Sequence, residues 1–172
     1  WFRPRIPEYD ALVTDNVLFQ KRTQGIGILP RQTAIDYAAS GPMLRGSGVR
    51  WDLRRNDPYS IYDRFEFEVP CDQGEDTWAR FLVRRREMEE SIRILEQALD
   101  QLPAGEVMAK VPKTIKPPPG QAYVRTESPR GELGFYIVSD GTPKPYRYKV
   151  RSPAFVNLSV LPEMVRGALV AD

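Results

Sequence analysis

Residues 103–119 read PAGEVMAKVPKTIKPPP, five prolines in seventeen positions. Proline has no backbone N–H and a fixed φ, so this stretch can be neither a helix interior nor a central strand. It favours extended polyproline geometry and predicts a semi-rigid connector over 103–120. A first part, 1–102, and a last part, 121–172, are left to build one incomplete domain of mixed helix and strand. The chain carries 16 prolines in 172 residues, about twice the usual share.

The first part reads as helices and loops. A short helix is expected over 5–20, ending before Gly25-Ile26-Gly27. A second is expected from Pro30 through RQTAIDYAAS, stopped by Gly41-Pro42. Glycines and turn residues then make MLRGSGVRWDLRRNDPYS largely irregular. Residues 62–69 alternate apolar with charged side chains, the pattern of a half-buried strand. The longest element is a helix over 77–102, with Asp76 as its cap and Pro103 as its stop. Trp78, Phe81, Arg85, Met88, Ile92, Leu95, Leu99 and Leu102 recur at spacings of three and four, a stripe expected to face a core rather than a coiled-coil partner. In the last part, strands over 133–138 and 146–150 flank SDGTPK, whose Asp140-Gly141 is a hairpin signal. The second strand should turn Tyr146, Tyr148 and Val150 inward and Arg147, Lys149 and Arg151 outward. A helix is expected to begin at Pro162.

Composition excludes several chemistries. There is no histidine, so histidine-based triads, HExxH sites and histidine-ligated metals are ruled out; a single cysteine, Cys71, rules out an internal disulfide or a cysteine metal cluster. Cys71 reads as a small apolar residue at a strand end. With 25 basic against 23 acidic residues the net charge is +2, which gives no reason to expect nucleic acid. No apolar run approaches the ~18 residues of a membrane span. The chain opens WFRPRIP without methionine, so both ends are treated as cut points.

Short motifs weigh mostly toward structure. Gly41 and Gly46 have phosphate-loop spacing, but Ser47 stands where that motif needs lysine, and no strand precedes it. TQGIGI is a turn. Arg84-Arg85-Arg86 can pair along the helix with Glu87, Glu89 and Glu90, a solvated face. Arg45, Asp52 and Arg54 are the candidates for pinning the irregular stretch by ion pairs. In ESPRGELGF, Pro129 and Gly131 bracket Arg130, and a buried proline there would aim the guanidinium.

The blocks SGPMLRGSGVRWDLRR (40–55), PYSIYDRFEFEVP (58–70), ARFLVRRREMEESIRIL (79–95), ESPRGELGFYIVSDGTPKPYRYKVRSPAF (127–155) and LPEMVRGALVAD (161–172) occur in this order. Together they resemble the quinone-reducing D-subunit family of respiratory complex I, from end to end of this chain. By the same resemblance the chain is a middle-to-late portion of such a subunit. That family is similar to the large subunit of nickel–iron hydrogenases, which implies an α+β fold of helices with a small antiparallel sheet or hairpin. Glu127, Pro129, Arg130 and Gly131 match the hydrogenase Glu-x-Pro-Arg-Gly motif, whose proline and arginine overhang the metal site. Phe135 and Tyr136 stand near where hydrogenases usually carry histidine, so nickel is not implied. The resemblance instead places these four residues by the quinone cavity and the terminal iron–sulfur cluster, which a neighbouring subunit holds. There a fixed guanidinium favours accumulating negative charge.

The resemblance further implies no catalytic residue, metal or cofactor in this segment, because the family's histidine and tyrosine quinone ligands lie upstream; alone it should be inactive. It implies quinone as substrate, NADH at a distant subunit, peripheral-arm subunits as partners, and a place on the cytoplasmic face of a bacterial membrane, or the matrix side in mitochondria. The alternatives are a scaffold or assembly fragment of the same fold and a hydrogenase-type large subunit.

Overall fold

The computed structural model describes residues 1–169. In chain order its elements are α1 (Ile6–Tyr9), α2 (Val17–Lys21), α3 (Arg31–Asp36), α4 (Pro42–Arg45), α5 (Leu53–Asn56), α6 (Thr77–Asp100), β1 (Gly120–Ser128), β2 (Gly131–Ser139), β3 (Arg147–Arg151), α7 (Pro153–Ser159) and α8 (Leu161–Met164). Mixed helices and one three-stranded antiparallel sheet, ordered β1-β2-β3, make an α+β chain. No helix among the described residues is long and apolar enough to cross a membrane.

Local chemistry explains most boundaries. The Asp76 carboxylate accepts from the Ala79 amide and starts α6. The single helix expected over 5–20 is instead broken. A π-turn over Asp10–Thr14 follows α1, and Asn16 then caps α2 by accepting from the Leu18 and Phe19 amides. The helix from Pro30 ends early, at Asp36, because Ala38 adopts positive φ. At the far end α8 stops at Met164, and the last three positions of the helix expected from Pro162 lie outside the described residues.

The strand expected over 62–69 does not form. Residues 65–69 keep the alternation, with Phe65, Phe67 and Val69 buried, yet join no sheet. Side chains satisfy their backbone instead. Gln97 bridges the amide and carbonyl of Glu66, Glu90 accepts from the Glu68 amide, and Arg55 donates to the Phe67 carbonyl. That arrangement also decides which face of α6 is buried. Ala79, Val83 and Ile94 turn inward, with Glu87, Glu90 and Gln97 on the same side. The expected apolar stripe is therefore largely left out, Leu95 being 61% and Leu99 71% exposed, although Trp78 and Phe81 do pack on Phe19.

The sheet contains a strand the sequence pattern did not mark, β1, paired with β2 so that Glu127 faces Glu132 and Ser128 faces Gly131. Pro129-Arg130 is thus the two-residue turn of a hairpin. Tyr146, just before β3, and Tyr148 on it do not turn inward; they are 76% and 54% exposed, because no second layer among the described residues covers the sheet there. Two small apolar clusters hold the body together. Leu29, Ala34, Ala39, Leu44 and Val160 form one, and Phe65, Phe67, Val69 and Ile94 form the other.

Candidate functional site

Four elements converge on one side chain. Gly41, at φ 66°, and Pro42 launch the short helix α4, which ends in Arg45. This arginine is 1% exposed, which demands compensation for a fixed charge. Its Nε donates to Glu87 Oε1 of α6 at 2.8 Å. Its Nη1 donates to Glu127 Oε1 of β1 at 3.0 Å and to the Trp51 carbonyl at 2.9 Å. Asp52 lies 3.6 Å from the same nitrogen. No buried side-chain nitrogen or oxygen among the described residues is left unpaired.

Asp52 serves a second arginine. It caps α5 by accepting from the Arg54 amide, and accepts from Arg54 Nε at 3.0 Å and Nη2 at 2.7 Å in a bidentate pair. The Arg54 guanidinium also lies over the rings of Phe67 and Tyr62. Glu127 is held on both oxygens, because Oε2 accepts from the Leu53 amide. Its own amide donates to the Tyr59 hydroxyl.

A cleft of about 610 Å³ opens beside this cluster. Arg54, Arg84, Glu87 and Glu127 form its polar wall; Met88, Ile92 and Leu95, from the uncovered stripe of α6, form its apolar wall. Burial pushes the carboxyls of Glu127 and Glu87 above their ordinary range, with Arg45 pulling both back only in part. Burial also acts upward on Asp52, but the hydrogen bonds and charge of Arg54, aided by Arg45, outweigh it and leave Asp52 low. Arg84 is solvent-exposed at the cleft rim, and partial desolvation there pushes it down, with Arg130 and Arg45 adding repulsion against the pull of Glu87. The site thus holds one carboxyl below its ordinary range and two above theirs, next to an apolar surface. Among the described residues no group of three or more His, Cys, Asp or Glu is placed to hold a metal ion.

The family model described as "Respiratory-chain NADH dehydrogenase, 49 Kd subunit" matches residues 1–117 and 110–172. The chain belongs to this family. A curated relative, the NADH-quinone oxidoreductase D subunit of Dehalococcoides mccartyi (strain ATCC BAA-2266 / KCTC 15142 / 195), is 58% identical over 167 residues, covering 97% of this chain and 46% of that protein. The D subunit from Desulforamulus reducens is 53% identical, with 97% and 46% covered. That of Bacillus mycoides is 50% identical, with 100% and 47% covered. The chain spans about half the length of the curated relatives it matches.

In this 49 Kd-family chain the residues singled out by sequence fall into two groups. Arg45, Asp52, Arg54 and Glu127 meet in the buried cluster. Pro129, expected to be buried, is exposed at the cleft edge, because it occupies a hairpin turn. Arg130 is exposed too. Its backbone is what the turn fixes, through Asn157 Nδ2 on its carbonyl at 3.2 Å and the close approach of Gly41.

Glu87 and Arg84 were missed as site residues. Arg84 and Glu87 read as part of a solvated run, whereas Glu87 goes to Arg45, 42 residues away. The signal was the spacing 83, 87, 90, 94, which puts Glu87 in line with buried Val83 and Ile94. Within the run, Arg85 does pair with Glu89, and also with Asp10, while Arg86 goes to Asp72.

Asp52→Asn is expected to destabilise the chain by roughly 1.5–3 kcal/mol at pH 7, the range for hydrogen bonds to charged groups. Because the folded-state pKa is depressed, that contribution is present above the ordinary value of 3.8 and lost as pH falls through the folded one. Denaturation curves of the two forms should therefore converge in acid. A gap that persists well below pH 3.8 would show that the charge is not responsible.

Proposed function

We propose that this chain forms part of the quinone-reducing subunit of an NADH-quinone oxidoreductase and that its cleft is one wall of the quinone cavity. The observation that carries this reading is the pairing of a buried ion cluster with an apolar helix face across one cleft, in a chain of the 49 Kd family. A quinone has an apolar ring and tail and oxygens that gain negative charge and protons on reduction, so it needs both kinds of surface. Electrons reach it from an iron–sulfur cluster held by a neighbouring subunit, having entered from NADH at a distant one.

The chain's own residues then have separate tasks. Met88, Ile92 and Leu95 exclude water and receive the apolar part. Arg84, with Arg130 just outside, sets a positive field that favours charge on the quinone oxygens. Glu87 and Glu127 face the cleft as carboxyl groups, and Arg45 fixes both in place. The fold is of the hydrogenase large-subunit type with its metal lost. The partners are other peripheral-arm subunits, and proton translocation depends on the full complex. The location is peripheral, on the cytoplasmic face of a bacterial membrane or the matrix face in mitochondria.

Two substitutions in the assembled enzyme test this. Met88→Trp fills part of the cleft from an exposed position and should raise KM for quinone several-fold. Arg130→Met should lower quinone turnover, with NADH oxidation by an artificial acceptor unchanged in both. Unaltered quinone kinetics in both variants would remove the cleft from the reaction.

A further inference from the structure

Residues 110–149 hold five of the six lysines, with Arg125, Arg130 and Arg147, against only Glu127, Glu132 and Asp140. Their balance is +5 in a chain of net +2, so the remainder is −3. The two glutamates are already engaged by Arg45, Arg125 and Arg151. Lys110, Lys113, Lys116, Lys144 and Lys149 are all exposed, and none joins the ion pairs found among the described residues. The ion pairs found among the described residues are made by arginines.

Every residue from 99 to 124 is exposed, including the apolar Met108, Val111 and Ile115. Among the described residues no backbone amide of 103–119 donates a hydrogen bond within the chain. The connector is nevertheless anchored beside the sheet, where Ser139 Oγ donates to the Pro117 carbonyl at 3.0 Å. That places Lys116 at the end of the sheet where Lys144 lies in the β2–β3 loop. Beyond it, β1 is an edge strand.

We propose that the connector and this end of the sheet form a docking surface for an acidic protein partner, a neighbouring subunit presenting Asp and Glu side chains around an apolar patch. Unpaired lysines supply complementary charge, and Val111, Ile115 and Tyr146 supply apolar area. The open backbone decides between partner classes. Extended segments and free strand edges are satisfied by protein grooves and strands, whereas a lipid interior offers no acceptors. Nucleic acid fits poorly, since the β3 pleat sends Tyr146 and Tyr148 to one face and Arg147 and Lys149 to the other.

The inference extends the proposed assembly but needs nothing of the quinone cleft. Its test is zero-length carbodiimide coupling of lysine to carboxylate in the assembled enzyme, followed by peptide mapping. Links from Lys110, Lys113, Lys116, Lys144 or Lys149 to acidic residues of another subunit are expected. The triple variant K110E/K113E/K116E should release that subunit at several-fold lower salt, and K110R/K113R/K116R should retain it. The surface is overturned if these lysines form no intersubunit link and label with an amine reagent as freely as after denaturation. It is equally overturned if they are shielded only in the membrane-bound enzyme and exposed on detergent extraction, which would mark a lipid contact. Normal quinone turnover alongside failed coupling would refute this surface alone.

Discussion

Arg45→Met is expected to destabilise the folded subunit by about 3–5 kcal/mol, the cost of breaking a buried ion pair from one side. Asp52 and Glu127 are almost fully buried and Glu87 mostly so, and all three would lose the same guanidinium. At ~2–4 °C per kcal/mol for a chain of this size, the midpoint should fall by on the order of 10 °C. Arg45→Lys should recover little, because one ammonium cannot reach Glu87, Glu127 and the Trp51 carbonyl together. Glu127→Gln placed on Arg45→Met should recover part of the loss by removing an orphaned charge. A cycle in which the two losses simply add would contradict a shared cluster.

Gly131→Ala should cost nearly as much, on the order of 4 kcal/mol, from a strained backbone and overpacking at ~1–3 kcal/mol each. Gly131 sits at φ 121°, and a Cβ there would lie 2.5 Å from Ser40 Oγ and 2.6 Å from the Gly41 amide nitrogen. Gly41 is in the same position from the other side, with Arg130 backbone atoms 2.6 Å from its own hypothetical Cβ. The hairpin turn and the start of α4 therefore touch backbone to backbone. Asn157 stitches the contact, its amide nitrogen donating to the carbonyls of Ser40 and Arg130. Pushing the turn away would carry Glu127 off Arg45. Gly25→Ala is the control, since Gly25 has φ 70° but nothing within 4 Å. It should cost only the ~1–2 kcal/mol of a left-handed residue. Equal losses at the two positions would contradict the close approach.

What could be read in advance was local. Asp76 and Pro103 bound α6 because a cap and a stop act on adjacent residues, and Asp140-Gly141 marks the β2–β3 connection for the same reason. Asp52 and Arg54 pair across two positions. The rest depends on distant chain. The Arg45–Glu127 contact joins residues 82 apart, and no periodicity announces it. The α6 stripe misled because the amides of Glu66 and Glu68 needed acceptors, and Glu90 and Gln97 lie on the opposite face. Strand β1 escaped notice because GQAYVRTES places no clean apolar face against a core; most of it is exposed. Arg130 drew attention by its motif, while the buried partner of the same motif, Glu127, makes the contacts.

Whether the cleft beside Arg45 receives quinone is tested most directly by a photoreactive quinone analogue in the assembled enzyme, with labelled peptides mapped by mass spectrometry. Labels are expected on Met88, Ile92 or Leu95 and near Glu127, and excess unlabelled quinone should suppress them. Labelling confined to other regions, with these residues unmarked under turnover, would contradict the assignment.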